Sequence, residues 1–126
     1  MNEKIKNTQD KLKEFGYFSN ENLSKLVYLF EKSGKRNNTS IPTLLLKGKS
    51  GAGKTFLAET FAKMIDADER FVQCFPRMGT ENFQYDVDIE NVMKQNPDKS
   101  IKPGILLQAL EKSKEKAVVL VIDELD

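Results

Sequence analysis

Hydrophobic positions along the chain fall into stretches of two periods. From Met1 to Phe15 the sequence is polar except for Ile5, Leu12 and Phe15 at roughly helical intervals, which predicts a short amphipathic helix. Gly16-Tyr17-Phe18 breaks it. Ser19 or Asn20 can cap a second helix with Leu23, Leu26, Val27 and Phe30 on one face; Ser33-Gly34 closes it, and Lys35 to Ser40 reads as a polar loop. Pro42 leads into Thr43-Leu44-Leu45-Leu46-Lys47, a short apolar run that fits a buried strand of a parallel sheet. Phe56, Leu57, Phe61, Ala62 and Ile65 then recur at helical spacing over Lys54 to Ile65. Asp66 to Glu69 reads as a turn and Phe71 to Phe75 as a second strand. Pro76 to Asn96 has no clean period: Gly79 interrupts it, and Val87 to Lys94 can form a short helix. Asn96-Pro97-Asp98 is a turn. After Pro103-Gly104, Ile105, Leu106, Ala109 and Leu110 form a helical face, and the unbroken β-branched run Ala117 to Ile122 is the strongest buried-strand signal in the chain.

Strands separated by helices of these lengths predict βαβ units, hence an α/β fold with a parallel sheet. The length, 126 residues, suits one domain with a modest core. Hydrophobic residues at 39% and charged residues at 31% place the chain among soluble globular proteins rather than disordered ones. The net charge is +1 with the two signs interspersed, so no strong field draws it to nucleic acid or to an anionic membrane. One cysteine, Cys74, and no histidine exclude an internal disulfide and offer no zinc-ligand cluster. A free cysteine within an apolar strand is more often a small buried residue than a reactive thiol, and Cys74 is read so. The N-terminus lacks the apolar stretch of a signal peptide, and Ala117 to Ile122 is too short to span a bilayer, so a cytoplasmic protein without a membrane partner is expected.

Chemistry enters at Gly48-Lys49-Ser50-Gly51-Ala52-Gly53-Lys54-Thr55, which fits G-x-x-x-x-G-K-[ST] between the predicted strand and helix. Glycines let the backbone take conformations closed to other residues and approach an anion closely, so that its N–H groups form a nest. The positive end of the following helix faces the same point. This predicts a site for ATP with Mg2+ formed by Gly48, Ser50, Gly51, Ala52, Gly53, Lys54, Thr55 and Phe56. Lys54 would reach the β- and γ-phosphates, a catalytic role, and the Thr55 hydroxyl would ligate the metal. The plain alternative is a glycine-rich turn without a ligand.

The run Val118 to Ile122 ends in Asp123-Glu124. A strand ending in two carboxylates places them at the carboxyl edge of a parallel sheet, where such folds bind ligands. Asp123 would hold the metal through a water, and Glu124 would polarise a water for attack on the γ-phosphate as the second catalytic residue. A strand running into a charged turn is common by itself; the phosphate loop upstream gives the pair its meaning. An adjacent glutamate favours hydrolysis over transfer to a metabolite. Asp126 either extends the acidic cluster or is simply solvated.

Together these residues resemble the AAA+ ATPases, specifically the MoxR-like branch. Leu44 to Ala58 is similar to that family's strand, loop and helix; Phe71-Val72-Gln73-Cys74 and Gln84-Tyr85-Asp86-Val87-Asp88 resemble its second strand and the stretch after it. Lys102 to Leu110 resembles the glycine-led segment before the acidic strand, and Val121 to Asp126 that strand's end. The resemblance implies a partial P-loop NTPase fold of three αβα layers, with 1–40 as a helical lead-in and 41–126 as an incomplete core. It also implies ATP hydrolysis coupled to remodelling of a protein partner, usually by a homo-oligomeric ring. Adenine would sit near Gly16-Tyr17-Phe18, where stacking and core packing are alternative roles for Tyr17 or Phe18. Cys74 and Tyr85 match positions read as structural.

The sequence ends at Asp126, where family members continue into a polar sensor strand, an arginine finger and a helical lid. An arginine finger can be worth several orders of magnitude in rate, so slow hydrolysis or none is expected of this chain alone, as of a shortened version or a piece of a longer protein. The family's sensor strand lies between the phosphate-loop strand and the acidic strand. Without it, Thr43 to Lys47 either pairs with the acidic strand directly or leaves a gap with exposed backbone groups. Two other readings remain open at this point: a nucleotide-binding module that does not hydrolyse, and a nucleic-acid-dependent NTPase, against which the near-neutral charge counts.

Overall fold

A computed structural model describes residues 2–34, 41–49, 51–87, 89–95 and 101–124. The chain divides into two compact units, Met1–Ile65 and Asp66–Asp126.

Three helices build the first unit. Helix α1 spans Glu3–Glu14 and is capped by Asn2, whose side chain accepts from the Lys4 N–H. It ends as the sequence requires: Gly16 takes a left-handed φ of 87°, its N–H bonds the Lys13 carbonyl, and the Tyr17 N–H returns to the Leu12 carbonyl. That pair of bonds satisfies carbonyls the helix end would otherwise orphan. Helix α2 spans Glu21–Gly34, and of the two predicted caps Asn20 serves, accepting from the Leu23 N–H at 2.8 Å. Helix α3 spans Lys54–Met64. The core comprises Leu12, Val27, Leu57, Phe61 and Ala62, with the rings of Phe30 and Phe61 5.3 Å apart. Thr8 and Ser24 are buried between α1 and α2 without cost, because Thr8 Oγ1 donates to the Lys4 carbonyl and Ser24 Oγ to that of Asn20.

The second unit is built on strands β1 (Asp68–Gln73) and β4 (Val118–Asp123), paired in parallel with Asp68 opposite Val118 and Gln73 opposite Asp123. Between them the chain forms α4 (Thr80–Gln84), β2 (Tyr85–Val87), α5 (Ile89–Met93), β3 (Ile101–Pro103) and α6 (Ile105–Lys112). Helix α6 packs on both β1 and β4 and buries Ala109. Strands β2 and β3 pair antiparallel, Tyr85 opposite Pro103, and form an arm between α4 and α6. The arm closes at Gly104, which is buried, donates its N–H to the Gln84 carbonyl at 2.8 Å and starts α6. The expected class, α/β with a parallel sheet and two leading helices, is observed, as in a partial P-loop NTPase fold. Among the described residues no helix is long and apolar enough to cross a membrane.

Several expectations need correction. Thr43 to Lys47 forms no strand: no backbone hydrogen bond joins 41–47 to another described residue. Its residues still alternate between exposed and half-buried, with Ile41 and Leu45 outward, so the segment has a strand's period without a strand's partner. The expected turn at Asp66 to Glu69 is shorter. Asp66 turns with φ of 53°, and β1 begins at Asp68, recruited by its pairing with β4 despite the polar run Asp68-Glu69-Arg70. Val87 belongs to β2, so the helix predicted from it starts at Ile89. The apolar run of β4 is half-buried rather than buried, and Ile122 is exposed; in its unit the sheet has two strands, and a fully apolar strand needs cover on both faces. The predicted loop at Lys35 to Ser40 and the turn at Asn96-Pro97-Asp98 lie outside the described residues.

A Cβ on Gly104 would lie 2.6 Å from the Phe83 carbonyl oxygen, whereas one on Gly34 would meet nothing within 4 Å. Gly104→Ala is therefore expected to lower stability by about 1–3 kcal/mol in thermal denaturation, through forced backbone movement. Gly34→Ala should leave it unchanged or raise it by up to about 1 kcal/mol.

Candidate functional site

The phosphate loop is shaped by two left-handed glycines. Gly51 has φ of 81° and Gly53 φ of 90°, a region that costs other residues roughly 1–2 kcal/mol. Between them and Lys49 the Ala52 N–H closes a turn onto the Lys49 carbonyl at 3.1 Å. Gly53 then caps α3: its carbonyl accepts the Leu57 N–H at 2.9 Å, starting the helix at Lys54. Among the described residues no backbone carbonyl accepts from the first-turn N–H groups of Lys54, Thr55 and Phe56, which form the positive end of the helix. Lys54 folds back over the loop, its Nζ donating to the Gly48 carbonyl at 2.5 Å. Gly48, Gly51, Ala52 and Thr55 are exposed, and Phe56 is 43% exposed. The structure thus gathers Gly48, Gly51, Ala52, Gly53, Lys54, Thr55 and Phe56 at one helix start; Ser50 lies outside the described residues.

The Gly16-Tyr17-Phe18 corner meets the same helix start. The ring of Tyr17 lies 5.7 Å from that of Phe56, tilted by 39°, and a Cβ on Gly53 would sit 3.9 Å from Tyr17 Cε2. Phe18 by contrast is 78% exposed, with Lys13 Nζ 5.9 Å from its ring centre. The sequence treats these two aromatics alike; the structure packs one on α3 and exposes the other.

The acidic pair is assembled in the second unit. Asp123 ends β4 opposite Gln73, and its carbonyl accepts the Cys74 N–H at 2.9 Å. Cys74 itself is half-buried and free, just past β1. The Asp123 carboxylate accepts the Glu124 N–H at 2.9 Å, and Glu124 leaves the strand with φ of 53°. Gln73 Nε2 donates to Glu124 Oε2 at 3.1 Å, so the candidate water-polarising carboxylate is held from the neighbouring strand. Sequence reasoning missed Gln73. Its signal was a polar residue closing the apolar pair Phe71-Val72, informative only once the register sets it opposite Asp123. Asp126 lies outside the described residues.

Among the described residues no group of three or more His, Cys, Asp or Glu could by itself cage a metal. The donors named for Mg2+, a Thr55 hydroxyl and an Asp123 carboxylate, are hard oxygens. Each is a donor of the kind taken by an ion that keeps its waters and is held by one or two protein groups plus substrate phosphates; Thr55 belongs to the first unit and Asp123 to the second.

Residues 43–126, about two thirds of the chain, match the AAA domain, dynein-related subfamily. No solved structure gives a significant match.

The two kinds of loop glycine separate experimentally. Gly53→Ala should cost roughly 1–2 kcal/mol of stability because its φ is left-handed. At Gly48 an added Cβ makes only ordinary contacts, 3.5 Å to Ala52 Cβ and 3.8 Å to Lys54 Cδ, so Gly48→Ala should fold within about 0.5 kcal/mol of the parent. Thermal denaturation of the two variants checks both.

Proposed function

Because this chain belongs to the AAA domain family, in its dynein-related subfamily, whose members bind and hydrolyse ATP, we propose that its Gly48 to Thr55 loop grips the β- and γ-phosphates of ATP. The observation that carries this reading is the loop geometry: left-handed Gly51 and Gly53 deliver the chain into the positive end of α3, with Lys54 poised over the loop. On binding, the Lys54 ammonium exchanges the Gly48 carbonyl for phosphate oxygens, a charge-assisted contact stronger than the one it leaves. Thr55 and Asp123 would hold Mg2+, which when bound neutralises phosphate charge. Glu124 accepts the proton of the attacking water, and its carboxylate is suited to this by its place one residue beyond Asp123.

In this reading residues 41–126 carry the nucleotide core and 1–40 the lead-in. The adenine lies toward the Gly16-Tyr17-Phe18 corner. The sequence resemblance to the MoxR-like branch supports a cytoplasmic machine in which a homo-oligomeric ring couples ATP hydrolysis to remodelling of a protein client.

Calorimetric titration tests the assignment. Lys54→Ala should lower ATP affinity roughly 30-fold or more, the effect of removing one partner of a charged contact worth about 2 kcal/mol or above. Glu124→Gln should bind ATP like the parent and lose any turnover. ATP binding by Lys54→Ala as tight as by the parent would refute the phosphate-loop assignment.

A further inference from the structure

The motif residues do not include the group that packs against the loop from behind. We propose that Tyr17 is a positioning residue for the phosphate loop, holding the Gly53–Lys54 junction in its anion-binding shape; this rests on the nucleotide reading above. Tyr17 is fixed at both ends of its role. Its backbone is tied to α1 by the N–H bond to the fully buried Leu12, and the left-handed turn at Gly16 aims the chain at α3. Its ring packs against the ring of Phe56 in the first turn of α3, and its Cε2 stands 3.9 Å from where a Cβ on Gly53 would be, beside that glycine's side-chain-less face. Gly16 lies beside the same ring, since a Cβ built on it would stand 3.8 Å from Phe56 Cζ.

The physical consequence concerns order. Glycine has the most freedom to lose on ordering, and the loop holds three glycines in six residues, Gly48 to Gly53. A flat ring against the last of them removes alternative conformations before the anion arrives, and preorganisation of that kind appears as affinity. The end of α1 thereby sets how well the loop binds phosphate. A group acting on the loop affects every ligand that the loop holds; a group stacking on the base affects only ligands with a base.

The experiment is calorimetric titration of the full chain with ATP and with inorganic tripolyphosphate, for the parent, Tyr17→Ala and Tyr17→Phe. Tyr17→Ala is expected to weaken both ligands by the same factor, about tenfold. Tyr17→Phe keeps the ring and should return both to within about twofold of the parent. If Tyr17→Ala does not fold, Tyr17→Leu takes its place, with the same equal loss expected because a branched side chain does not cover Gly53 as a ring does. A loss confined to ATP overturns the proposal in favour of base contact, and a folded variant that binds both ligands like the parent reduces Tyr17 to packing. A parent that binds neither ligand overturns the nucleotide reading itself, whereas failure in the variants alone overturns only the positioning role.

Discussion

Gly53 has to satisfy two demands at once. Its carbonyl starts α3 by accepting the Leu57 N–H, and its left-handed φ turns the preceding loop so that the helix start faces outward. A residue with a side chain would be strained in that conformation. From this junction the first unit extends in two directions. Inward, Leu57, Phe61 and Ala62 of α3 are buried, and the ring of Phe61 packs at a tilt on that of Phe30 of α2. Outward, the first-turn N–H groups and Lys54 make up the proposed anion site. The packed face of the helix therefore holds the binding end still, which links core burial directly to ligand geometry.

The second unit follows a different constraint, the register of β1 on β4. Parallel pairing from Asp68↔Val118 to Gln73↔Asp123 brings polar residues of both strands to one sheet end. Gln73 then reaches Glu124, and Cys74 continues the ladder onto the Asp123 carbonyl. Shifting that register by one residue would turn Gln73 to the opposite face and release the Glu124 carboxylate.

Legibility in the sequence tracked how local each interaction is. The helices described in the first unit, a cap at Ser19 or Asn20, the Gly16 break and the phosphate loop all depend on neighbours within a few residues, and the sequence shows them. Strand β1 was misread at its start because Asp68-Glu69-Arg70 has no apolar signal; those residues are strand only because Val118 to Leu120 lie beside them. The arm of β2 and β3 was invisible for the same reason, three residues each with no period to detect. Thr43 to Lys47 fails in the opposite direction. Its apolar run and exposure period are those of a strand, yet no described residue pairs with it, and a strand exists only through its partner. In the candidate site, the residues within motifs were legible, while Gln73 and the distinction between Tyr17 and Phe18 required three-dimensional contacts.

The central claim is that this loop recognises the outer phosphates of an adenine nucleotide. Titration of the parent chain with ATP, ADP and AMP, each with Mg2+, tests it most directly by calorimetry. The account predicts saturable binding of ATP and ADP, both of which carry the β-phosphate that the loop surrounds, and much weaker binding of AMP. AMP binding as tight as that of ADP, or no binding of ATP at all, would contradict it.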